Sequence, residues 1–483
     1  MSQVLRAISW HAAADPGKPA LIGIDAVFSY SELLQLISDV AERLEQALPG
    51  PGPIAIRIEN DPAWVITDLA CVLLDRPVIP LPPFFTDEQS KHAMRNAGAI
   101  GILEDNVQAG FSGTDTLTVG MKQLTFSPIH SLPAKLPPHT AKITYTSGTT
   151  SDPKGVCLSQ EGLEAVSQSL VDAIGSAYAK THVSVMPLAV LLENVAGVYA
   201  TLLAGGACVL LPQSRIGFAS AFQPDFLQLV ACLTERSATS IILVPELLRG
   251  LMHTLALTGK RLPMLGLVAV GGSRLAPRIL EGAQALGLPV HEGYGLSEAA
   301  SVVAFNTPHS SRPGTVGKVL PHVNIRVDAH GEIIILDPAM LGYVGQSDRQ
   351  GEFPTGDTGA LDDDGFLRID GRTKNTLITS YGRNVAPEWI ESELLAQPEI
   401  GQAMAYGDGE PTLSALIVPS AQGIPTTSLA SAIERANLSL PEYARVKAWR
   451  AVPPFTIANK MLTGTGRVRR DIILKDHVQC QTI

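Results

Sequence analysis

A loop about a third of the way along the chain combines hydroxyl, glycine and lysine residues. It reads TYTSGTTSDPKG, spans residues 144–155 and contains Lys154 as its one cation. Hydroxyls and free N–H groups bind oxygen anions, glycines let the backbone approach a ligand closely, and a lysine adds a positive point charge. The order Lys-Gly differs from the Walker phosphate loop, which ends in Gly-Lys-Ser/Thr. Clusters of serine, threonine and glycine are also typical of ordinary loops, so the prediction of a phosphate site of another kind depends on what else the chain contains.

Three later segments carry side chains suited to phosphate and nucleotide chemistry. Residues 293–301 offer an aromatic ring, a hydroxyl and a carboxylate; residues 354–375 offer a carboxylate and two cations; residues 459–471 are strongly basic. The side chains in question are Tyr294, Ser297, Glu298, Asp357, Arg372, Lys374 and Arg467. Their functional meaning depends on whether they act together with the loop.

Each of these residues also has a plain structural interpretation. Tyr294 could be a core aromatic residue, Glu298 a carboxylate in the first turn of a helix, and Asp357 the cap of a turn. A serine nucleophile elbow would require Gly-x-Ser-x-Gly, but Ala299 follows where the last glycine belongs. A hydrolase is therefore disfavoured, and the functional interpretation depends on the segments occurring together.

Short apolar strands alternate with amphipathic helices over most of the chain, which predicts an α/β fold with largely parallel sheets. Ligands in such folds lie beyond the carboxyl ends of the strands. The sequences GGS (271–273) and GYGLSE (293–298) follow or end two predicted strands there. From about residue 323 the pattern indicates a smaller β-rich subdomain, and the end of the chain a small α+β domain. We expect a large N-terminal domain (1–371) of mixed or parallel sheets flanked by helices, and a mobile C-terminal domain (372–483).

Composition narrows the class of protein further. The chain has 483 residues, of which 45% are hydrophobic and 17% charged, and a formal net charge of −10. These values favour a well-packed cytoplasmic enzyme and disfavour nucleic acid as a partner. Five scattered cysteines predict neither disulfides nor a zinc site. No secretory signal or transmembrane segment is expected from the apolar stretches, which glycines and prolines interrupt.

In their order and spacing, the four segments resemble those of the ANL superfamily of adenylate-forming enzymes, which includes acyl-CoA synthetases, peptide-synthetase adenylation domains and luciferases. The resemblance covers nearly the whole chain. Within the superfamily, the sequence is most similar in character to the fatty-acid-activating members. It implies an enzyme that uses ATP and Mg²⁺ to convert a carboxylic acid to an acyl-adenylate with release of pyrophosphate. Transfer of the acyl group to CoA, or to the phosphopantetheinyl thiol of an acyl carrier protein, would follow.

The resemblance also implies roles for individual residues. A phosphate cradle would consist of Thr146, Ser147, Gly148, Thr149, Thr150 and Lys154. The adenine would lie between Tyr294, with Gly295 beside it, and the segment Gly271, Gly272 and Ser273. The remaining implied roles are the α-phosphate contact for Ser297, Mg²⁺ for Glu298, the ribose for Asp357 and Arg372, and the hinge for Lys374. Residues 380–391 would line the tunnel for the thiol, with Gly382 keeping it open.

The acid itself is indicated by residues 185–206, which line the acyl pocket in the family. The stretch is aliphatic, with Glu193 and Asn194 as polar residues and Gly197 among its small ones. The aspartate that amino-acid-activating members use is not found, so we expect a fatty or other apolar acid. Glu193 could still contact a polar group of the substrate, or it could begin a helix and face solvent.

One departure from the family concerns the C-terminal loop, where a lysine normally bridges the α-phosphate and the carboxylate. In LTGTGRVRR (462–470) that position is Arg467, which is longer, planar and forked. Three alternatives stay open: Arg467 substitutes with a shifted geometry, Lys460 takes its place, or adenylation is weak and the protein binds acyl-adenylate or ATP without turnover.

Overall fold

The computed structural model describes residues 2–105, 115–146, 153–218, 224–346, 351–463 and 466–478. The strands are β1 (Pro19–Ile22), β2 (Val27–Ser29), β3 (Ile54–Arg57), β4 (Val78–Pro80), β5 (Gly101–Glu104), β6 (Asp115–Val119), β7 (Lys122–Pro128), β8 (Thr140–Thr146), β9 (Lys154–Ser159), β10 (Thr181–Val183), β11 (Ala207–Val209), β12 (Ser240–Leu243), β13 (Leu267–Val270), β14 (Val290–Leu296), β15 (Ser301–Phe305), β16 (Lys318–Val319), β17 (Ile325–Val327), β18 (Glu332–Ile335), β19 (Met340–Tyr343), β20 (Phe353–Leu361), β21 (Leu367–Arg372), β22 (Leu377–Ile378), β23 (Asn384–Val385), β24 (Ile400–Tyr406), β25 (Leu413–Pro419) and β26 (Val446–Ala451).

The helices are α1 (Gln3–Ala14), α2 (Tyr30–Ala47), α3 (Pro62–Leu73), α4 (Asp87–Ala97), α5 (Gln160–Ile174), α6 (Ala200–Leu203), α7 (Phe226–Glu235), α8 (Pro245–Thr258), α9 (Pro277–Ala285), α10 (Pro387–Leu395), α11 (Thr426–Leu438) and α12 (Arg470–His477). A π-helix, Glu193–Tyr199, runs into α6. Short 3-10 turns occupy Ser176–Ala179, Gln213–Ile216, Ser297–Ala299, Thr373–Asn375 and Glu442–Ala444.

Local sequence explains where the predicted helices begin. Ser29 caps α2 and forms a capping box with Glu32, which satisfies N–H groups that the first turn leaves without partners. Ser159 caps α5 by accepting from the Gly162 N–H, as its position before the apolar helical pattern predicts. Pro387 lies in the first turn of α10, where its missing N–H costs nothing. Each of these three helices therefore begins at a residue that suits its first turn.

The first large sheet has nine strands in the order β16-β15-β14-β13-β12-β10-β11-β1-β2. The six strands from β14 to β1 pair in parallel, and the edges are antiparallel. As expected, Gly271 follows the carboxyl end of β13, and residues 293–296 form the carboxyl end of β14. The sheet therefore brings these two segments to neighbouring positions at one edge.

The second large sheet has eight strands in the order β19-β9-β8-β4-β3-β5-β7-β6. Its centre is parallel, but β8 and β9 form an antiparallel pair that ends at the loop 147–152. The largest apolar cluster joins residues from both sheets with residues of α2, α3 and α5. This core packs β9 of the second sheet and β13 of the first into one apolar cluster, through Val156, Leu158 and Leu267.

The rest of the chain matches the predicted β-rich and α+β portions. Strands β17, β18, β20 and β21 form an antiparallel sheet. Beyond Arg372, β24, β25 and β26 form a three-stranded sheet that shares an apolar cluster with α10 and α11. The predicted fold class is thus confirmed, while the boundary between residues 371 and 372 stays a prediction. In the part of the chain that the structure describes, no helix has the length and apolarity needed to span a bilayer.

Candidate active site

Asp357 is the centre of a buried polar cluster built on two paired strands. Asp357 of β20 lies directly opposite Arg372 of β21, and the Arg372 Nε lies 2.8 Å from its Oδ1. The Tyr294 hydroxyl, at the end of β14, donates to the Asp357 Oδ2 at 2.7 Å. Burial, followed by the negative charge of Asp357, raises the pKa of Tyr294. The structure thus brings three of the sequence-predicted residues together.

The backbone just beyond Tyr294 is unusually crowded. A Cβ on Gly295 would lie 1.7 Å from the Ser301 carbonyl oxygen, so only glycine fits. Ala300 and Ser301 have φ angles of 56° and 118°, in the left-handed region that side chains other than glycine's disfavour. Strained backbone of this kind costs about 1–3 kcal/mol and clusters at functional sites. It fixes the turn that presents Ser297 and Glu298.

Glu298 is connected to the phosphate loop through a residue that sequence reasoning missed. The Tyr343 hydroxyl donates to the Glu298 Oε1 at 3.0 Å, and the Lys154 Nζ lies 5.7 Å from the centroid of the same ring. Tyr343 reaches this position because β19 pairs with β9, the strand that begins at Lys154. No motif marks this tyrosine; only the strand pairing reveals it.

The segment after β13 leaves space beside the cluster. Gly272 has a φ of 100°, and Ser273 is exposed. A Cβ on Gly271 would be 3.8 Å from Leu192, and one on Gly272 would be 3.7 Å from Val244, so both contacts are ordinary van der Waals distances. The side chains next to these glycines are aliphatic, and the Gly293 carbonyl oxygen lies 3.6 Å from the same Cβ position on Gly271.

Glu292 ties this segment to β14 and was also missed from the sequence. Its Oε1 accepts from the Leu275 N–H at 3.1 Å, and the residue is buried. Burial raises the pKa of Glu292 to about 7, against the effects of that hydrogen bond and of Arg274. Its position two residues before Tyr294, on the same side of a strand, was the one available signal.

Arg467 belongs to the C-terminal loop, and its charge interacts with those of Asp357, Arg372 and Glu298. The region around these residues and Tyr294 is called the cleft below. The Thr463 side chain accepts from the Arg467 N–H at 3.0 Å. Loss of hydration, followed by the positive charge of Arg372, lowers the pKa of Arg467, and the charges of Asp357 and Glu298 oppose this. Arg467 is nevertheless exposed to solvent, so its guanidinium is accessible to a ligand.

Lys374 adds a third cation, whereas Lys460 does not. Partial burial, followed by the charges of Arg372 and Arg467, lowers the pKa of Lys374. Lys460 is exposed and forms no ion pair with any residue that the structure describes. Of the two cations considered for the C-terminal loop, Arg467 is therefore the one whose charge interacts with the cleft.

The polar side chains of the predicted acyl pocket form hydrogen bonds with other groups of the protein. Glu193 is 0% exposed; its Oε1 lies 2.7 Å from the His182 Nε2, and its Oε2 accepts from the Met186 N–H. The alternative in which Glu193 faces solvent is wrong. A Cβ on Gly197 would lie 2.6 Å from both Glu193 and His182, so this glycine makes room for the pair. The His182 Nδ1 lies 3.1 Å from the Ser240 hydroxyl, but all three side chains are buried, which suits a structural network.

Asn194 belongs to a second buried network that the sequence did not reveal. The Lys142 Nζ donates to both Asp68 oxygens at 2.9 and 3.1 Å and to the Asn194 side-chain oxygen. The Tyr199 hydroxyl donates to the Asp68 Oδ2 at 2.7 Å. Lys142 lies in β8 and Asp68 in α3, both within apolar runs, and this isolated charge in each run was the signal available.

Some predicted residues fall beyond what the structure describes. Ser147, Gly148, Thr149 and Thr150 lie outside the described residues, and Thr146 is described only as the last residue of β8. Among the described ranges, no cluster of three or more histidine, cysteine, aspartate or glutamate side chains could hold a metal ion.

Two family models match the chain. The model described as AMP-binding enzyme matches residues 8–345, and the model described as AMP-binding enzyme C-terminal domain matches residues 374–479. The first covers more than half of the chain and includes Tyr294 and Glu298, and the second includes Arg467; Asp357 and Arg372 lie between the two matched ranges.

Two relatives with similar sequences are CoA ligases. A long-chain-fatty-acid–CoA ligase, FadD15 of Mycobacterium bovis, is 33% identical over 42% of this chain, and the match spans 39% of its own length. A 2-succinylbenzoate–CoA ligase of Bacillus velezensis is 27% identical over 87% of this chain and 88% of its own.

Solved structures share the fold. An anthranilate CoA ligase, AuaEII, in complex with anthranoyl-AMP superimposes with a TM-score of 0.82 at 16% identity, over 99% of this chain and 98% of that one. The o-succinylbenzoate CoA synthetase of Bacillus subtilis, in complex with ATP and magnesium ion, gives 0.75 at 20% identity, over 96% and 98%. The resemblance inferred from the four segments is confirmed: this chain belongs to the family of AMP-binding enzymes within the ANL superfamily.

Proposed function

We propose that the protein activates a carboxylic acid with ATP. A carboxylate oxygen attacks the α-phosphorus, pyrophosphate leaves, and an acyl-adenylate forms. A thiol then attacks the acyl carbon, and AMP leaves as the thioester forms. The observation that carries the proposal is the contact of Tyr294 and Arg372 with Asp357, together with Tyr343, which connects Glu298 to Lys154.

The nucleotide would be held by the cluster around Asp357. The Asp357 oxygens each have a second lone pair for the ribose hydroxyls, with Arg372 alongside. Tyr294 would contact the adenine, which Gly271, Gly272 and Ser273 flank. Ser297 would donate to the α-phosphate, and Lys154 with the loop 146–150 would hold the outer phosphates.

The residues present fit a magnesium ion at Glu298. Its Oε1 accepts from Tyr343, and its Oε2 accepts from no residue that the structure describes. One available carboxylate without a cluster of further ligands suits Mg²⁺, which keeps water and substrate phosphate as its other ligands. When bound, the ion would neutralise charge on the phosphates.

We propose that Arg467 performs the task of the lysine found in relatives. Its guanidinium stays protonated at neutral pH even with a lowered pKa, so a full positive charge is available where negative charge develops at the α-phosphate. Thiol transfer from a finished adenylate breaks a different bond and does not need this charge. That step would follow rotation of the 372–483 domain about Lys374.

The acid is proposed to be apolar. Leu192 and Val244 border Gly271 and Gly272, and the Glu193 carboxylate is engaged by His182 and is not available to a substrate. The names of the relatives include a long-chain fatty acid as well as aromatic acids, and both classes present an apolar body. The proposed acceptor is CoA, as in the names of the relatives; a carrier-protein thiol is the other acceptor to test.

The test is acid-dependent exchange of labelled pyrophosphate into ATP, run with fatty acids of increasing length and with aromatic acids. Exchange with at least one acid, and thioester formation only when CoA is added, are expected. Tight binding of ATP or acyl-AMP with no exchange for any acid would refute turnover and leave an adenylate-binding protein.

A further inference from the structure

Three arginines of the N-terminal part of the chain contact α10, the first helix of the C-terminal part. Arg249 of α8 donates through its Nη1 to the carbonyl oxygen of Leu395 at 2.7 Å and to that of Ile400 at 3.4 Å. Its Nη2 lies 3.5 Å from the Gly401 carbonyl oxygen. The last carbonyls of a helix carry partial negative charge, so a guanidinium is the favoured partner there.

The other two arginines contact the flank of the same helix. The Arg278 Nη2 donates to the Glu393 carbonyl at 3.0 Å and lies 3.2 Å from its Oε2. The Arg274 guanidinium carbon lies 5.8 Å from the centroid of the Trp389 ring, within the range of a cation–π contact. Burial lowers the pKa of Arg249 and of Arg274, as expected for guanidinium groups enclosed between packed elements.

A continuous set of contacts connects α10 with Arg467. The Arg470 Nη2 donates to the Glu391 Oε2 at 2.6 Å, and its Nη1 donates to the Ala405 carbonyl at 3.2 Å. Glu391 is a buried residue of α10, and Arg470 is three residues after Arg467. The position of α10 therefore determines where Arg467 lies relative to Asp357.

We propose that Arg249, Arg274 and Arg278 form an arginine clamp that holds α10 so that Arg467 faces the cleft, and that they are positioning residues for adenylation. The inference rests on the proposed function of Arg467. None of the three needs to touch the substrate, because the clamp acts through α10, Glu391 and Arg470. A side chain that stabilises one orientation raises the population of that orientation and with it the rate of the step that requires it.

The kinetic test separates the two half-reactions. Arg249→Ala and Arg278→Ala should each lower pyrophosphate exchange roughly tenfold, the scale of losing one charge-assisted hydrogen bond. Transfer from preformed acyl-adenylate to CoA should change by less than about twofold, because Arg467 is not required there. Arg261→Ala is the matched control, since Arg261 is exposed and bonds only to the neighbouring Lys260 carbonyl among the described residues. Equal losses in both half-reactions would overturn the proposal.

A second readout does not depend on activity. The emission of Trp389 reports on α10 and is identified as the fluorescence that is lost in the Trp389→Phe variant. Acrylamide quenching of this emission measures the exposure of the Trp389 side chain. Arg249→Ala and Arg278→Ala should increase that quenching, while Arg261→Ala should leave it unchanged. Unchanged quenching in both clamp variants would show that α10 does not depend on the arginines and would overturn the clamp. If instead wild type lacks pyrophosphate exchange but the quenching responds, the proposed function fails while the contact itself is verified.

Discussion

Two groups of charged side chains in this protein use the same residue types in different ways. In the buried group, Lys142 is 1% exposed, and its ammonium reaches Asp68, Asn194 and Tyr199. The three N–H groups of the ammonium thus have three partner residues and none is left for a ligand. This group is called closed below. In the cleft, Arg372 is fixed to Asp357 through Nε alone, and no described residue accepts from its other N–H groups.

The difference lies in unused hydrogen-bonding capacity. A buried charge must be paired, because removing it from water costs several kcal/mol that only partners can offset. A ligand site needs the reverse: donors and acceptors that are held in place by the protein on one side and left open to the ligand on the other. Arg372 and the second oxygen of Glu298 meet that description, whereas Lys142 and Glu193 do not. The comparison therefore assigns stability to one group and binding to the other.

The largest expected effect is on stability, at the closed group. Lys142→Met leaves Asp68 buried without a counter-charge and should lower the free energy of unfolding by about 3–5 kcal/mol. Urea denaturation followed by circular dichroism measures this. The double variant with Asp68→Leu should regain most of the loss, because no charge then stays buried. A cost below about 1 kcal/mol for the single variant would contradict the role given to the pair.

The next effect is on activity, at the open group. Glu298→Gln replaces a full charge with a dipole and should reduce metal-dependent pyrophosphate exchange roughly 10²–10³-fold. Its thermal midpoint should stay close to that of wild type, because the side chain lies at the cleft and not in the core. Near-normal exchange over a magnesium titration would show that the metal lies elsewhere.

Glu292 offers a further test of the comparison, because it is buried and its carboxylate accepts from the backbone of the segment that follows β13. Its pKa of about 7 lies above the ordinary value, so protonation favours the folded state and stability is lost as the pH rises towards and through 7. Glu292→Gln does not titrate and should be more stable than wild type by roughly 1–3 kcal/mol at pH 8, with the gap closing near pH 5. Thermal midpoints of the two proteins at both pH values decide this. A gap that is the same at both would exclude the shifted pKa.

The smallest effect is expected for Arg467→Lys. Lysine restores the compact ammonium found in relatives, so adenylation should equal or exceed that of wild type within about threefold. Single-turnover acyl-AMP formation measures it. A loss of tenfold or more would show that the cleft is shaped around the forked guanidinium.

The alternation of strands and helices was sufficient to predict the fold class, and the four segments contain residues that the structure brings into contact. Tyr294, Asp357 and Arg372 meet because Asp357, in the middle of β20, pairs with Arg372 at the end of β21 and accepts from Tyr294 near the end of β14. Lys154 and Glu298 were predicted separately, and the structure connects them through Tyr343.

The remaining partners could not be predicted because they depend on contacts between distant elements. Tyr343 reaches Glu298 through the pairing of β19 with β9, and Arg249 reaches Leu395 across 146 residues. Glu193 shows the same limit: its place at the start of a helix allowed a solvent-facing position, but the packing of the π-helix against His182 buries it. The local sequence pattern predicts the secondary-structure element, whereas the partner of a side chain depends on tertiary packing.

The central claim is that Arg467 supplies the positive charge for adenylation in the open cleft. The most direct measurement compares Arg467→Ala with wild type in pyrophosphate exchange and in thiol transfer from preformed acyl-adenylate. We predict a loss of roughly 10²-fold or more in exchange, little change in transfer and an unchanged thermal midpoint. Equal losses in both steps, or no loss in either, would contradict the account and make Arg467 a surface charge.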